Sequence, residues 1–360
     1  MDTFDQTDRD DVARAIHAVE AEVPVIFTWD YDRSRDALGR LYEKAKGAQW
    51  NASTDLDWSI DVDPERVAAS LGGGVTNRFQ ILAEHPDSPV RAFGEREWTQ
   101  VGVELQNSLL SQFMHGEQGA LLCTARIVET VPWIDAKYYA STQVMDEARH
   151  VEVFARYLAE KLGRQYPINA NLKVLLDDIL ADDRWDITYL GMQIMVEGLA
   201  LAAFGFMHML TDEPLLKQLL RYVMSDEARH VAFGVLSLQE YYAGLSSAEL
   251  RERQEFAFDA AVRLQQRFFQ REVWETMGAD ADRVLAFLEE HNPPTMQEFQ
   301  TILFSKIVPN CKKLGLLDAG ATGGRPGWLR ERFTEIGVIQ YEDWADTSEE
   351  YELLDAVSGR

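Results

Sequence analysis

The sequence predicts an all-α protein, a four-helix bundle with additional flanking helices. Three observations carry this. The pentapeptide Asp-Glu-Ala-Arg-His occurs twice, at 146–150 and 226–230, with an offset of 80 residues. A further glutamate stands thirty residues before the glutamate of each copy, Glu117 before Glu147 and Glu197 before Glu227. Apolar positions recur at helical spacing nearly throughout, with prolines and glycines marking the breaks. Within each pentapeptide Glu and His lie three apart on one helical face, so Glu147 with His150, and Glu227 with His230, can each grip one metal ion. The interval between glutamates fits a helix leaving the site, a short turn, and a second helix returning antiparallel to the same depth. At about 1.5 Å per residue, a half-helix of about twelve residues runs roughly 18 Å each way. Two such hairpins place single glutamates on two helices and Glu-x-x-His on the other two. Four carboxylates and two imidazoles in two equivalent sets are the ligand inventory of a carboxylate-bridged dinuclear metal centre. Mixed oxygen and nitrogen donors suit iron or manganese. One copy alone would read as an exposed stretch with its charges paired along a helix; two copies in step with two upstream glutamates argue against that.

Taken in order, the pattern predicts a helix over 8–22 ending before Pro24, and a second over 32–49. Residues 50–75 read as irregular, because Asn51, Ser53, Asp55, Asp57, Asp61 and Asp63 favour turns. The run 90–131 is the first core helix and carries Glu117. Pro132 suits the first turn of the next, which carries Glu147 and His150 and ends near Gly163. A short helix covers 171–181, and 184–211 is the third core helix, with Glu197. Thr211-Asp212-Glu213-Pro214 caps and starts the fourth, which Gly244 closes. Ser246-Ser247 opens a helix through Met277, Pro293-Pro294 starts a last long one, and 320–327 is the loosest stretch. The acidic tail after Glu335 reads as loosely packed. The expected organisation is N-terminal helices and an irregular segment (1–89) on a metal-binding bundle (90–277), followed by C-terminal helices and the tail (278–360), all in one structural domain.

Composition bounds the partners. Hydrophobic residues make up 46% and charged residues 26%, as in a soluble globular protein. Sixty acidic against 35 basic residues give a net charge of −25, which disfavours nucleic acid and anionic membranes. Lys306, Lys312, Lys313, Arg325, Arg330 and Arg332 are the best basic patch, and read as scattered solvated charges. Two distant cysteines, Cys123 and Cys311, support no disulfide framework, so a reducing cytoplasm is expected. The acidic N-terminus is unlike a signal peptide, and no membrane span is expected.

The doubled motif, Glu117-x28-Asp-Glu-Ala-Arg-His and Glu197-x28-Asp-Glu-Ala-Arg-His, resembles the signature of ferritin-like di-iron carboxylate proteins. Asp before the ligand Glu and Arg before the His resemble its oxygen-activating branch. That branch includes bacterial monooxygenase hydroxylases, aryl-CoA epoxidases, acyl-carrier desaturases, arylamine N-oxygenases and ribonucleotide reductase small subunits. The resemblance covers roughly 98–242, and the segment 41–58 is similar in flavour to what precedes the bundle in the reductase and hydroxylase group. It implies a ferritin-like fold and two iron ions, with Mn/Fe as the variant. Glu117, Glu147 and His150 would hold one ion, and Glu197, Glu227 and His230 the other, with one or two glutamates bridging. Asp146 and Asp226 would accept from the outer N–H groups of the ligand histidines. Arg149 and Arg229 would pair with buried carboxylates or carbonyls.

Three positions depart from particular branches: Phe154 where radical-forming subunits have tyrosine, Val223 where arylamine N-oxygenases have a histidine ligand, and Leu201 where multicomponent hydroxylases often have threonine. Around the glutamates, Phe113, Met114, Ala120, Leu121, Ile194, Leu201 and Phe204 are candidates for an apolar substrate pocket, set against plain core packing. The implied activity is dioxygen-dependent oxidation (hydroxylation, epoxidation or N-oxygenation) of a small, largely apolar organic substrate. It would use O2 as co-substrate and an external reductase or ferredoxin, in a homodimer. The competing readings are a ferroxidase that handles iron and a radical-generating or Mn/Fe oxidase subunit. His115 and His208 lie out of phase with the ligand faces, and Glu104 breaks the symmetry of the two sets, so all three are placed outside the site.

Overall fold

The computed structural model describes residues 17–72 and 77–343. Among them are helices and a single isolated bridge, Thr322 with Arg325, and no strand. Residues 17–35 are not helical, which corrects the expected N-terminal helix over its described part; 8–16 lie outside the described residues. Pro24 biases the chain before it toward extended backbone. The segment is then tied down by Ile26 N–H donating to the Glu129 carbonyl (2.8 Å) and the Thr28 hydroxyl donating to the Pro132 carbonyl (2.8 Å).

Helix α1 is Asp36–Gly47. The stretch read as irregular contains α2, Pro64–Gly72: Asp63 accepts from the Glu65 N–H at 3.0 Å and proline takes the first helical position. A short α3, Gln80–Glu84, leads to the core helices α4 (Glu95–Thr130) and α5 (Ile134–Tyr157). Helix α5 continues through a π-helical turn, Leu158–Leu162, and stops at Gly163, whose φ of 72° favours a residue without Cβ. After α6 (Ala170–Ala181) comes α7, Trp185–Leu210, interrupted by a π-helical segment at Leu190–Val196 immediately before Glu197. Helix α7 is long and apolar enough to cross a membrane by length and composition, but its apolar stretch is 83% buried inside the bundle. Helix α8 is Pro214–Ala243, capped by Glu213, whose carboxylate accepts from the N–H groups of Leu215 and Leu216 (2.8 and 2.6 Å).

The hairpin geometry is shared by both halves. Glu117 stands thirteen residues before the end of α4 at Thr130, and Glu147 thirteen after the start of α5 at Ile134. Glu197 to Leu210 and Pro214 to Glu227 repeat those intervals. Each glutamate therefore meets its partner at equal depth.

Beyond the bundle, α9 (Ser247–Gln266) opens with a Ser246/Glu249 capping box and ends sooner than expected. A 3-10 turn, Arg267–Phe269, and Gln270 at φ 48° break it before α10, Arg271–Thr276. Gln270 is fixed there by donating to the Leu105 carbonyl at 2.9 Å and accepting from Arg78. The last long helix is likewise divided, into α12 (Pro294–Leu303) and α13 (Ile307–Lys313), after α11 (Ala281–His291) and before α14 (Trp328–Glu335). One hydrophobic cluster runs from Leu38 to Val338. The basic patch does not form: Lys312 pairs with Asp343, Arg330 with Asp318 and Glu342, Arg332 with Glu335, and Lys306 is buried. The tail from 344 lies outside the described residues.

Candidate metal centre

All six predicted ligand residues meet at mid-depth between α4, α5, α7 and α8, and all are at least 96% buried. His150 presents Nδ1 to Glu117 Oε2 at 3.2 Å, Glu147 Oε2 at 3.4 Å and Glu227 Oε1 at 3.1 Å. His230 presents Nδ1 to Glu147 Oε1 at 3.0 Å and Glu227 Oε1 at 3.6 Å. Two groups of donors result, Glu117/Glu147/His150/Glu227 and Glu147/Glu197/His230, each with its donor atoms within 4.8 Å of one another. Glu147 belongs to both groups, and Glu227 stands beside both histidines.

The donor set fits two metal ions. Glu147 Oε2, Glu197 Oε2, both Glu227 oxygens and His230 Nδ1 are buried and make no hydrogen bond, although nitrogens and oxygens stand within contact distance. Their lone pairs converge on shared points instead of on one another, the arrangement that a cation satisfies and hydrogen bonding does not. Protonation follows the crowding. Burial pushes Glu117 and Glu197 well above the usual carboxylate range, and neighbouring glutamates add to it. Burial opposes charge on both histidines, yet the carboxylates around them outweigh it and raise both. Burial also works against the Glu147 anion, but the two histidines hold it below its ordinary value.

The outer nitrogens are buttressed crosswise. His150 Nε2 meets Asp226 Oδ2 at 3.1 Å and His230 Nε2 meets Asp146 Oδ2 at 3.3 Å, so each pentapeptide's aspartate orients the other pentapeptide's histidine. Arg149 lies between both aspartates (2.5 Å to Asp146, 3.0 Å to Asp226), and Arg229 pairs with Asp226 and stands 3.9 Å from Asp146. The result is a buried, net-neutral quartet locking α5 to α8.

Three residues in this network were not singled out as site residues from the sequence. The Trp50 indole donates to Asp226 Oδ2 at 2.8 Å, and Gln49 donates to Asp146 Oδ1 at 2.9 Å while accepting from Arg149. Gln143 donates to Glu147 Oε1 at 3.0 Å and Glu197 Oε1 at 2.8 Å. Its position one turn before Glu147 was the available clue. Gln49 and Trp50 come from a remote loop, and only the fold brings them in.

A narrow space of about 10 Å³, room for roughly one water, adjoins the donors, lined by Gln112, Phe113, Gly116, Glu117, Ala120, Val196, Glu197, Ala200, Glu227 and Arg267. Of the expected pocket residues, Phe113 and Ala120 line it; Met114, Leu121, Ile194, Leu201 and Phe204 do not. The π-helical segment sets the register that presents Val196, Glu197 and Ala200, while Phe204 packs on Phe113 and Phe154 (ring centroids 4.6 and 5.5 Å). The residues placed outside the site lie outside it: His115 bonds the Tyr166 carbonyl, and Glu104 accepts from Tyr166, Arg164 and Gln100.

No protein-family model matches the sequence, and no curated protein does. Among solved structures, a variant R2-like ligand-binding oxidase with an anaerobically reconstituted Mn/Fe cofactor aligns at TM-score 0.51 and 20% identity, over 79% of this chain and 94% of that one. The fold is ferritin-like. Another variant of that oxidase, with an aerobically reconstituted Mn/Fe cofactor, aligns over the same shares at 21% identity and TM-score 0.47. In this ferritin-like bundle, helices α4, α5, α7 and α8 are the four that converge on the donors.

Proposed function

We propose that this chain is a dioxygen-activating dinuclear metal oxygenase acting on a small, largely apolar organic substrate. The observation that carries the reading is the buried donor cluster, four glutamates and two histidines whose unsatisfied lone pairs converge, with the apolar Phe113, Ala120, Val196 and Ala200 beside it. Glu117, Glu147, His150, Glu197, Glu227 and His230 would hold two iron ions, or one manganese and one iron as in the R2-like ligand-binding oxidases, and the bound pair supplies redox chemistry toward O2. Four glutamates offset the charge of two divalent ions. The crossed Asp146 and Asp226 contacts hold both Nδ1 atoms on the centre, and the apolar walls keep water from the substrate. Monooxygenation places one oxygen atom in the substrate and releases the other as water, consuming two electrons and two protons. We assign the electrons to an external reductase or ferredoxin.

Anaerobic loading with iron, with manganese and with both, followed by metal analysis, is expected to give two ions per chain. Glu147→Ala or His230→Ala is expected to lose most of them, and retention of both ions would refute this ligand set. Mixing the reduced, loaded protein with isotopically heavy O2, a reductant and a panel of small apolar compounds is expected to yield labelled product. Uptake of many irons per chain with no labelled product would replace the oxygenase reading by iron oxidation and storage.

A further inference from the structure

We propose that a file of buried hydroxyls, amides and internal waters between α5, α7 and α8 carries protons from the surface beside Glu240 to the metal centre. The proposal deepens the oxygenase reading and rests on it. Reduction of O2, whether to an oxygenated product and water or to water alone, takes up one proton from solvent for each electron supplied.

The route follows a second repeated pattern that ends on the metal ligands. Tyr-x3-Gln-x3-Glu occurs on α5 as Tyr139, Gln143 and Glu147, and on α7 as Tyr189, Gln193 and Glu197. A spacing of four keeps three side chains on one helical face, so each glutamate is the foot of a polar ladder about two turns long. Both tyrosines and both glutamines are wholly buried. The two ladders face each other. At the foot, Gln143 Nε2 donates to Glu147 (3.0 Å) and to Glu197 (2.8 Å) and so joins them. At the head, Tyr139 and Tyr189 pack on one ring, Phe233 of α8, with centroids 4.3 and 5.0 Å away, and their hydroxyls act on each other through space.

Most polar atoms of the ladders have no protein partner. The hydroxyls of Tyr139 and Tyr189, the Gln143 side-chain oxygen and both ends of the Gln193 amide make no hydrogen bond with any described residue. Neither does Ser237 Oγ, buried on α8 and close enough to act on the Tyr189 hydroxyl. Buried polar groups are costly unless bonded, and internal water, which takes about three partners, is what satisfies them when protein does not. Polar groups buried elsewhere show the alternative: Tyr157 donates to Glu213, and Gln112 is bonded at both ends, to Pro167 and Asn169.

The seam reaches the surface at its head. Ser237 lies one turn before the exposed Glu240 on α8. Glu240 pairs with Arg35 at 2.9 Å, and both line an open depression of about 310 Å³ with Trp133 and Tyr241. Arg35 in turn acts on the Tyr189 hydroxyl through space. From outside, the order is Glu240, Ser237, Tyr189 with Tyr139, then the two glutamines and the centre. A hydroxyl or a water donates and accepts at once, so each passes on one proton as it receives another. The amides hold the waters in line. Burial pushes both phenols up, so they relay protons without giving one up for good.

The test has two arms. A crystal structure of the metal-free protein is expected to show ordered waters bonded to Ser237, Tyr189, Gln193 and Tyr139, and Tyr189→Phe is expected to lose the water at its own position. In the second arm, reduced, iron-loaded protein is mixed with O2 in weak buffer containing a pH-indicator dye, in H2O and in D2O. Tyr189→Phe and Ser237→Ala, each of which removes a single oxygen atom, are expected to slow proton uptake by about tenfold or more while still holding two irons. Both should slow further in D2O than the wild type does. Tyr157→Phe, which removes a buried hydroxyl outside the seam, is expected to keep the wild-type rate. Wild-type ladders without ordered water, or uptake by both seam variants at the wild-type rate, would overturn the route. Iron content and O2 consumption separate the two claims. Wild type that loads iron but consumes no O2 sinks the oxygenase reading and the route with it, whereas wild type that consumes O2 beside dry ladders sinks the route alone.

Discussion

Asp226 is held by four donors from three parts of the chain: His150, Arg149, Arg229 and the Trp50 indole. Burial disfavours its charge, but the histidine and the two arginines outweigh that and hold it below the usual carboxylate range. Removing one member of such a network leaves the others buried and unpaired, which costs far more than the pair is worth against an apolar substitute. Asp226→Ala is therefore expected to destabilise the protein by about 3–5 kcal/mol. Urea unfolding of the metal-free protein measures it. Adding Arg149→Met to Asp226→Ala should recover part of that loss, because the second change removes one of the stranded cations. A double variant as unstable as the sum of its singles would show that the quartet does not act as a unit.

At the scale of elements, the π-helical segment Leu190–Val196 decides how Glu197 and the cavity wall are presented, and α8 presses directly on it. A Cβ added at Gly234 would lie 2.6 Å from Gln193 Cβ and 3.2 Å from Ile194 Cδ1, both within that segment. Gln193 Cβ sits close to its backbone and cannot swing aside, so Gly234→Ala is expected to cost about 1–3 kcal/mol and to lower metal occupancy by shifting Glu197. Gly116, on the opposite wall, has nothing within 4 Å of an added Cβ. Gly116→Ala is expected to gain up to about 1 kcal/mol of helix stability while narrowing the cavity. Denaturant melts of the two variants should move in opposite directions; a shared direction would contradict the packing described. This contrast also shows what the sequence could convey. The doubled pentapeptide with its upstream glutamates marks four helices and one depth, since ligand spacing and helical period are both local. The π-helical register, the break at Gln270 and the approach of Gln49, Trp50 and Arg267 are set by contacts between distant segments. No spacing rule points to them.

For the molecule as a whole, folding, metal content and pH are linked through the same cluster. Without metal, Glu117 and Glu197 bind their protons more tightly folded than unfolded, because burial and neighbouring carboxylates raise both. Such groups contribute stability below their unfolded pKa and lose it as pH rises toward the folded value. His150 and His230 are also raised, and their contribution, full below about 6.5, is likewise lost on the way up. Glu147 and Asp226 are lowered, so their contributions are present above the ordinary carboxylate range and disappear only in acid. Across roughly pH 5.5 to 8.5, then, the raised groups set the slope, and the melting temperature of metal-free protein is expected to fall as pH rises. Bound cations replace those protons and keep the ligands deprotonated, so metal-loaded protein should lose the slope or reverse it. The chain's charge of −25 adds a general self-repulsion that also grows with pH. Glu197→Gln separates the two effects, since it removes one raised carboxyl and changes the total charge by a single unit. Melting curves of metal-free, Mn(II)-loaded and Glu197→Gln protein should show a steep, a flat and an intermediate dependence. A metal-free wild type that holds or gains stability toward alkaline pH would mean that the four glutamates do not share one buried site.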